Sequence, residues 1–451
     1  MAARRAFPDV GKGVAVSVRC GPLDGGQRPV VTATVHEPEP GQALGAEAAT
    51  ALADAAERAL TLRLPLVLTM ASSGPSPEED VSALDGWGRV ARAVARCSGM
   101  VPVVAVVGGP LLSGPALLLG LVDAVVMTSA ALVYVSGPAA VAQVTGVPVQ
   151  PEQLGGYRVH SARSGVATLV AADLAGATEL VAQLLSFLPL HCDQLPPFLL
   201  SGDPASRPTP ELRDAVPTRA SGSYDVRTLV TSVADDGRLF ELRTGWAPQL
   251  VTGFVRLGGY SVGVLANQPQ SMSGTLDIAA SQKGASFVGL CDAFNVPLLT
   301  IVDTSGFMPG RDLEWRGIIR HGAELVFAYA EATVPRVSLI VRKAYGGAYI
   351  VMDSKGMGND ICIAWPSAEL AVMGAEGAVS IVHRRAAPED RARLVEDYER
   401  TFLNPYVAAE RGYVDMVIDP AETRKVLIGC FRALSTKRER LVSRKHGNSP
   451  L

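Results

Sequence analysis

Three features in the first half of this 451-residue sequence recur in the second half, at an offset of roughly 235 residues. The pairs are an apolar run (residues 64–69 with 296–300), a small-residue turn (Ser113-Gly114 with Gly346-Gly347) and a glycine before a helix (Gly137 with Gly374). A constant offset over several landmarks is the signature of an internal repeat. We therefore predict that the chain contains one folding unit twice, through an internal duplication.

Within each half, short apolar runs alternate with helical patterns. Helices are predicted over residues 46–62 and 278–295, for example, and buried strands over 101–107 and 335–341. This alternation predicts an α/β fold of parallel strands with right-handed crossovers. Ligands of such sheets bind at the carboxyl ends of the strands, where both small-residue turns are expected to lie.

A stretch rich in Pro, Ser, Asp and Arg separates the two halves. It occupies residues 196–219 and shows no periodicity, which is typical of a linker. We predict an N-terminal domain over residues 1–195, a linker over 196–222 and a C-terminal domain over 223–451.

The composition excludes several classes of function. A net charge of −3 gives no general attraction for nucleic acid or for an anionic membrane, and no apolar run is long enough to span a bilayer. The six cysteines are scattered singly, without the spacing of a zinc or redox site. We expect a cytoplasmic protein that binds no nucleic acid, no membrane and no metal.

Side chains suited to acid–base chemistry are sparse at the predicted strand ends. The six histidines are isolated, and Asp303 is explained at least as well by turn capping as by catalysis. The small-residue turns can instead present paired backbone N–H groups, which is the arrangement of an oxyanion hole. An ordinary strand-to-helix turn explains the same pattern, so the turns alone leave the function open.

Longer motifs in the second half point to a known family. They are Ala266-Asn267-Gln268-Pro269, Gly274-Thr275-Leu276-Asp277, Gly306-Phe307-Met308-Pro309-Gly310, the run from Arg342 to Tyr349, residues 404–415 (NPYVAAERGYVD) and the ending 445–451 (KHGNSPL). By these motifs the chain resembles the β subunit, or carboxyltransferase, of biotin-dependent acyl-CoA carboxylases. The resemblance is to the propionyl- and acetyl-CoA carboxylase type, in the crotonase superfamily.

The resemblance implies two tandem crotonase-like domains, each a ββα spiral, related by the duplication. It implies transfer of a carboxyl group from carboxybiotin to the α-carbon of an acyl group held as a coenzyme A thioester. The biotin would be carried by a biotinylated α subunit, which is the biotin carboxylase and carrier protein. The family assembles as a homohexamer, a trimer of dimers, which is therefore the expected state.

The same resemblance assigns roles to individual residues. Gly346, Gly347 and Ala348 would hold the ureido oxygen of biotin, whereas Ser113 and Gly114 stand where the family has the glycines for the thioester oxygen. The implied substrate-binding residues are Ile350, Tyr349, Gly306, Phe307, Gly137 and Gly374.

The first half is shorter and more divergent than the family pattern. Ser113 adds a side chain where bare backbone is expected, and Pro115 has no N–H. Ile350 stands where many relatives have aspartate, which would suit a less polar or longer acyl tail. Three alternatives stay open: a biotin-linked decarboxylase, transfer to an acceptor that is not CoA-bound, and a catalytically degenerate subunit that serves assembly.

Overall fold

The computed structural model describes residues 15–23, 28–36, 43–217 and 222–450. The chain divides into two compact units, the first ending at Pro196 and the second beginning at Pro197. Within the described ranges, each unit contains one sheet, with seven strands in the first and eight in the second.

The first unit alternates strands and helices after an initial antiparallel strand pair. Its elements are β1 (Ala15–Pro22), β2 (Pro29–His36), α1 (Ala46–Leu62), β3 (Leu66–Ser72), α2 (Val81–Cys97), β4 (Val103–Leu112), β5 (Ala124–Thr128), β6 (Leu132–Tyr134), α3 (Pro138–Thr145), α4 (Pro151–Gly155), α5 (Tyr157–Val159), β7 (Leu169–Ala171) and α6 (Leu174–Phe187). The sheet order is β1-β2-β3-β4-β5-β7, and β6 pairs with the end of β4.

The second unit repeats this plan with one helix and one strand added before it and further helices inserted within it. Its elements are α7 (Val226–Val233), β8 (Leu239–Leu242), β9 (Leu250–Leu257), β10 (Tyr260–Asn267), α8 (Ile278–Ala293), β11 (Leu298–Thr304), α9 (Arg311–Trp315), α10 (Ile318–Glu331), β12 (Arg336–Tyr345), α11 (Gly346–Val351), β13 (Ile361–Ala364), β14 (Glu369–Ala371), α12 (Ala375–Val382), α13 (Pro388–Phe402), α14 (Pro405–Glu410), β15 (Met416–Val417) and α15 (Thr423–Leu434). The sheet order is β15-β13-β12-β11-β10-β9-β8, and β14 pairs with the end of β12.

The two sheets have the same topology when β9 to β15 are matched with β1 to β7. In both, the first two strands are antiparallel and the later pairs are parallel. Even an irregularity is shared, because the register shifts between Met70 and Ser72 in one sheet and between Val302 and Thr304 in the other. The internal duplication is thereby confirmed, together with the α/β fold class.

The central parallel strands are buried because they carry almost only apolar residues. All five residues from Val103 to Val107 of β4 are buried, as expected for a strand covered on both faces. Small residues let the covering helices approach closely. A Cβ built on Gly86 of α2 would lie 2.9 Å from the Cβ of Ala49 on α1, so this crossing requires glycine.

The described part of the predicted linker packs against the second unit. The guanidinium of Arg424 on α15 is fully buried; it donates to the carbonyl of Pro204 at 3.3 Å and pairs with Asp235 at 2.8 Å. Thr209 donates its amide to the carbonyl of Ala421 at 2.9 Å, and Leu212 is buried beside it. Residues 197–217 are therefore held by buried polar contacts.

An aspartate before β5 and another before β13 make matching hydrogen bonds. Asp123 accepts from the amide of Val103 at 2.7 Å, and Asp360 accepts from the amide of Arg336 at 2.8 Å. Lys437 lies 3.0 Å from Asp360, whereas no cation pairs with Asp123 in the described ranges. Burial accordingly raises the pKa of Asp123 to about 7.

Asp123→Asn should remove a pH-dependent destabilisation of the first unit. Folding raises the pKa of Asp123 from about 3.9 in an unfolded chain to about 7. The carboxyl group therefore destabilises the folded protein increasingly as the pH rises between these two values, and the loss of stability is complete above about pH 7. Asparagine still accepts from Val103 without a charge. The gain in free energy of unfolding should therefore be larger at pH 8 than at pH 5 in urea titrations.

Asp360→Asn is the matched control for that measurement. It keeps the hydrogen bond to Arg336 but leaves Lys437 without this partner, so it should destabilise the protein. An Asp123→Asn gain that is equal at both pH values would contradict the assignment of a buried, unpaired carboxyl group.

Candidate active site

The turn that ends β12, residues 346–348, is shaped by Gly346. Its φ of 59° is a left-handed conformation, and a Cβ built there would lie 3.2 Å from the carbonyl oxygen of Val372. The chain then enters α11, whose first amides have no acceptor within the helix. The amides of Gly347 and Ala348 are consecutive in this first turn, so they can serve together as donors to a bound oxygen.

The backbone of this Gly346 turn is uncovered at Gly347. A Cβ built on Gly347 would meet nothing closer than Cε2 of Phe307, at 3.9 Å. The turn borders a pocket of about 610 Å³, a volume typical of small-molecule sites. The pocket is lined by Gly346, Gly347, Tyr349, Ile350, Ser354, Lys355, Gly356, Leu370, Ala371, Val372, Tyr398, Phe402, Val407, Ala408, Arg411 and Tyr413.

The walls of the pocket are largely aromatic and aliphatic. Tyr398 and Phe402 come from α13, with their ring centroids 4.9 Å apart. Of the two cations, Lys355 is held by Asp415 at 2.7 Å, whereas Arg411 has no ion pair within the ranges that the structure describes. The pocket is therefore suited to a mainly apolar ligand with a few polar atoms.

The structure brings several of the sequence-predicted residues together around the Gly346 turn. Tyr349 and Ile350 line the pocket, and Phe307 lies beside Gly347. A Cβ on Gly374 would lie 3.5 Å from the ring of Tyr345. Two predicted substrate-binding residues remain. Gly306 has a φ of 138°. Gly137 belongs to the first unit and lies beside the ring of Tyr134.

A buried carboxylate that contacts the end of β12 stabilises the Gly346 turn. Asp303, at the end of β11, accepts from Nε of Arg342 at 3.0 Å, from the Lys343 amide at 3.2 Å and from the Tyr224 hydroxyl at 2.9 Å. Burial, together with the charge of Asp303, raises the pKa of Tyr224 well above its usual value. Because these three donors occupy Asp303, the structure assigns it to support of the turn.

The equivalent turn of the first unit, residues 113–115, differs in its donors. Ser113 has φ 62° and ψ −142°, a conformation that residues with a side chain rarely adopt. Its amide is already committed to the carbonyl of Tyr134 at 2.9 Å. Pro115 has no N–H. The backbone of this Ser113 turn therefore offers the amide of Gly114 alone, whereas the sequence suggested both Ser113 and Gly114.

The structure also adds a residue that no sequence motif marked. The indole of Trp87, from α2, covers Gly114 so closely that a Cβ built there would lie 2.9 Å from Cε2 of the ring. Gly347 has no such cover. The two turns of the duplicated fold therefore differ in both donor number and access.

Metal-binding clusters and membrane-spanning helices are absent from the described residues. No group of three or more His, Cys, Asp or Glu residues in these ranges could hold a metal ion. No helix among them is long and apolar enough to cross a membrane.

Comparison with known proteins identifies the family. Residues 11–449 match the family described as "Carboxyl transferase domain". The chain belongs to the carboxyl transferase family. The match covers both units of the duplicated fold, and the resemblance noted in the sequence is confirmed.

Individual relatives agree with this assignment. The chain is 42% identical to the methylmalonyl-CoA carboxyltransferase 12S subunit of Propionibacterium freudenreichii subsp. shermanii, over 94% of this chain and 82% of that one. It is 45% identical to the propionyl-CoA carboxylase beta chain of Saccharopolyspora erythraea, over 86% and 74% respectively. The chain is thus a carboxyltransferase of the biotin-dependent acyl-CoA carboxylase type.

A solved structure supports the fold. The chain matches transcarboxylase 12S, determined with methylmalonyl-coenzyme A and methylmalonic acid bound, with a TM-score of 0.94 and 42% identity. The match covers 97% of this chain and 85% of that chain. The two-domain, crotonase-like fold predicted from the sequence is therefore confirmed.

Alanine substitution of the two glycines of the Gly346 turn should distinguish the backbone strain at Gly346 from the open side-chain space at Gly347. Gly346→Ala should destabilise the second unit by about 1 kcal/mol, because alanine is disfavoured at a φ of 59°. Gly347→Ala should leave stability unchanged or raise it, because Gly347 is helical and its side-chain space is open. Thermal unfolding of the two variants measures the difference. Equal destabilisation by both would contradict this account of the turn.

Proposed function

We propose that this carboxyltransferase moves a carboxyl group between carboxybiotin on a partner carrier and the α-carbon of an acyl-CoA. We further propose that the second unit binds the biotin group. The observation that carries the proposal is the Gly346 turn, whose backbone is uncovered at Gly347 and borders a pocket of about 610 Å³.

The residues of the second unit fit a ureido group. Such a group has one strongly accepting oxygen, and the amides of Gly347 and Ala348 are consecutive donors in the first turn of α11. The bare backbone at Gly347 leaves room for close approach, and the aromatic wall of the pocket suits an apolar ring. Carboxybiotin, when bound, supplies the carboxyl group that is transferred.

Backbone donors give this site its catalytic advantage. They are fixed by the fold before the ligand arrives, so they need no reorganisation when negative charge develops on the oxygen they hold. The Asp303–Arg342 pair keeps the end of β12 in position. The chain's contribution is therefore to bind, orient and stabilise charge, without a side-chain acid or base at the Gly346 turn.

We propose that Ile350 tunes the acyl preference. Its side chain is 44% exposed and lines the pocket, which the acyl group must also reach in order to receive the carboxyl group from biotin. An apolar group at this position favours a less polar or longer acyl tail, because it offers no partner for a polar substituent. Ile350→Asp should shift the ratio of kcat/KM values toward short acyl-CoAs. Unchanged ratios for short and long acyl-CoAs would contradict this role.

We propose that the chain works as a homohexamer, a trimer of dimers, with a biotinylated α subunit. The hexamer is supported by the 12S structure, which is described as a hexamer assembly forming a multienzyme core. Exposed apolar side chains of the second unit, among them Val372, Ile381 and Val382, give it surface to bury. Light scattering should report six subunits, and a monomer would contradict the proposal.

The function is tested by carboxylation of a panel of acyl-CoAs. The full chain is incubated with labelled bicarbonate, ATP and a biotinylated α subunit from the same cell, beside a known active β subunit as control. Label fixed on one or a few acyl-CoAs is expected and would define the substrate class. No label on any of them, with an active control, would overturn the proposal.

Transfer in the opposite direction is the second candidate. It is favoured by the relative named methylmalonyl-CoA carboxyltransferase and by the bound methylmalonyl-coenzyme A of the 12S structure. Incubation of the chain with methylmalonyl-CoA and free biotin measures transfer in this direction, because propionyl-CoA would form without ATP.

A further inference from the structure

The Ser113 turn begins with the same left-handed φ as the Gly346 turn, although serine stands where the second unit has glycine. Ser113 holds a φ of 62°, close to the 59° of its counterpart Gly346. A serine gains nothing locally from this conformation, so it is imposed by the surrounding fold. Gly114 follows Ser113 after the end of β4, as Gly347 follows Gly346 after the end of β12.

Pro115 leaves this turn one donor short. The equivalent residue of the second unit, Ala348, has an amide, whereas proline has none. The amide of Ser113 cannot replace it, because it donates to the carbonyl of Tyr134 at 2.9 Å. An oxygen bound here would therefore receive a single backbone hydrogen bond, from Gly114.

The indole of Trp87 lies where a second donor is needed. A Cβ built on Gly114 would lie 3.0 Å from Nε1 of Trp87 and 2.9 Å from Cε2. The N–H edge of the indole therefore lies directly beside Gly114, whose amide is the remaining backbone donor of the turn.

The indole N–H is available for a ligand. Trp87 is half-buried against the core of the first unit, which fixes the ring, and its Nε1 has no acceptor among the described residues. Indole nitrogen is a donor only, so it suits an oxygen that gains negative charge. A fixed donor of this kind is equivalent in role to a backbone amide.

We propose that Trp87 donates its indole N–H to the thioester oxygen of the acyl-CoA, in place of the amide that Pro115 lacks. The proposal rests on the proposed function, since it takes the Ser113 turn as the thioester site. It makes Trp87 a catalytic residue that stabilises the charge on this oxygen when the α-proton is removed.

The test compares Trp87→Phe, Pro115→Ala and the double variant in the labelled-bicarbonate assay. Propionyl-CoA is the probe, or whichever acyl-CoA of the panel the wild-type protein carboxylates. Trp87→Phe keeps an aromatic ring but removes the N–H, so kcat should fall about 100-fold with little change in KM. Pro115→Ala restores a backbone amide, so the double variant should recover most of the lost kcat.

One control separates this role from the general effect of replacing a tryptophan. Trp315→Phe makes the same change at an exposed tryptophan of the second unit and should leave kcat unchanged. Recovery by Pro115→Ala would not follow if Trp87→Phe had only damaged the packing of the first unit.

The remaining outcomes each overturn the proposal. An unchanged kcat for Trp87→Phe would show that the indole takes no part in the reaction, and a higher kcat would show that it obstructs the substrate. A loss that Pro115→Ala does not recover would assign Trp87 to packing. A wild-type protein that labels no acyl-CoA would instead refute the proposed function itself.

Discussion

A carboxylate buried at the end of β11 fixes the part of the molecule on which its chemistry depends. Asp303 joins Arg342 and the Lys343 amide, both on β12, to Tyr224, which lies before α7. Removal of either charge would leave the other buried and unpaired, at a cost of about 3–5 kcal/mol. The ends of the two strands are therefore locked together, and the Gly346 turn directly after them is held in place.

The first unit lacks this support. By the offset that relates the two sheets, Ala71 and Gly109 stand where the second unit has Asp303 and Arg342. The Ser113 turn is instead held by its hydrogen bond to Tyr134 and by the indole of Trp87. The two units thus share a strand order, whereas the Ser113 turn and the Gly346 turn are stabilised by different interactions.

The sequence predicted the fold well because its signals are local or repeated. The offset between Ser113 and Gly346 predicted the duplication, and continuous apolar runs predicted the parallel strands. The support of Asp303 by Arg342 could not be predicted, since it depends on the register between β11 and β12. Nor could the cover of Gly114 by Trp87, which depends on how α2 packs over the end of β4.

The central claim is that consecutive backbone amides, rather than side chains, hold the reacting group in the second unit. Ala348→Pro tests it most directly, because proline removes one N–H at a position near a helix N-terminus where its ring is tolerated, as Pro115 is in the first unit. Carboxylation of the acyl-CoA substrate should fall about 100-fold with the fold retained, whereas Ala348→Gly, which keeps the amide, should stay close to wild type. An undiminished rate for a folded Ala348→Pro protein would contradict the claim.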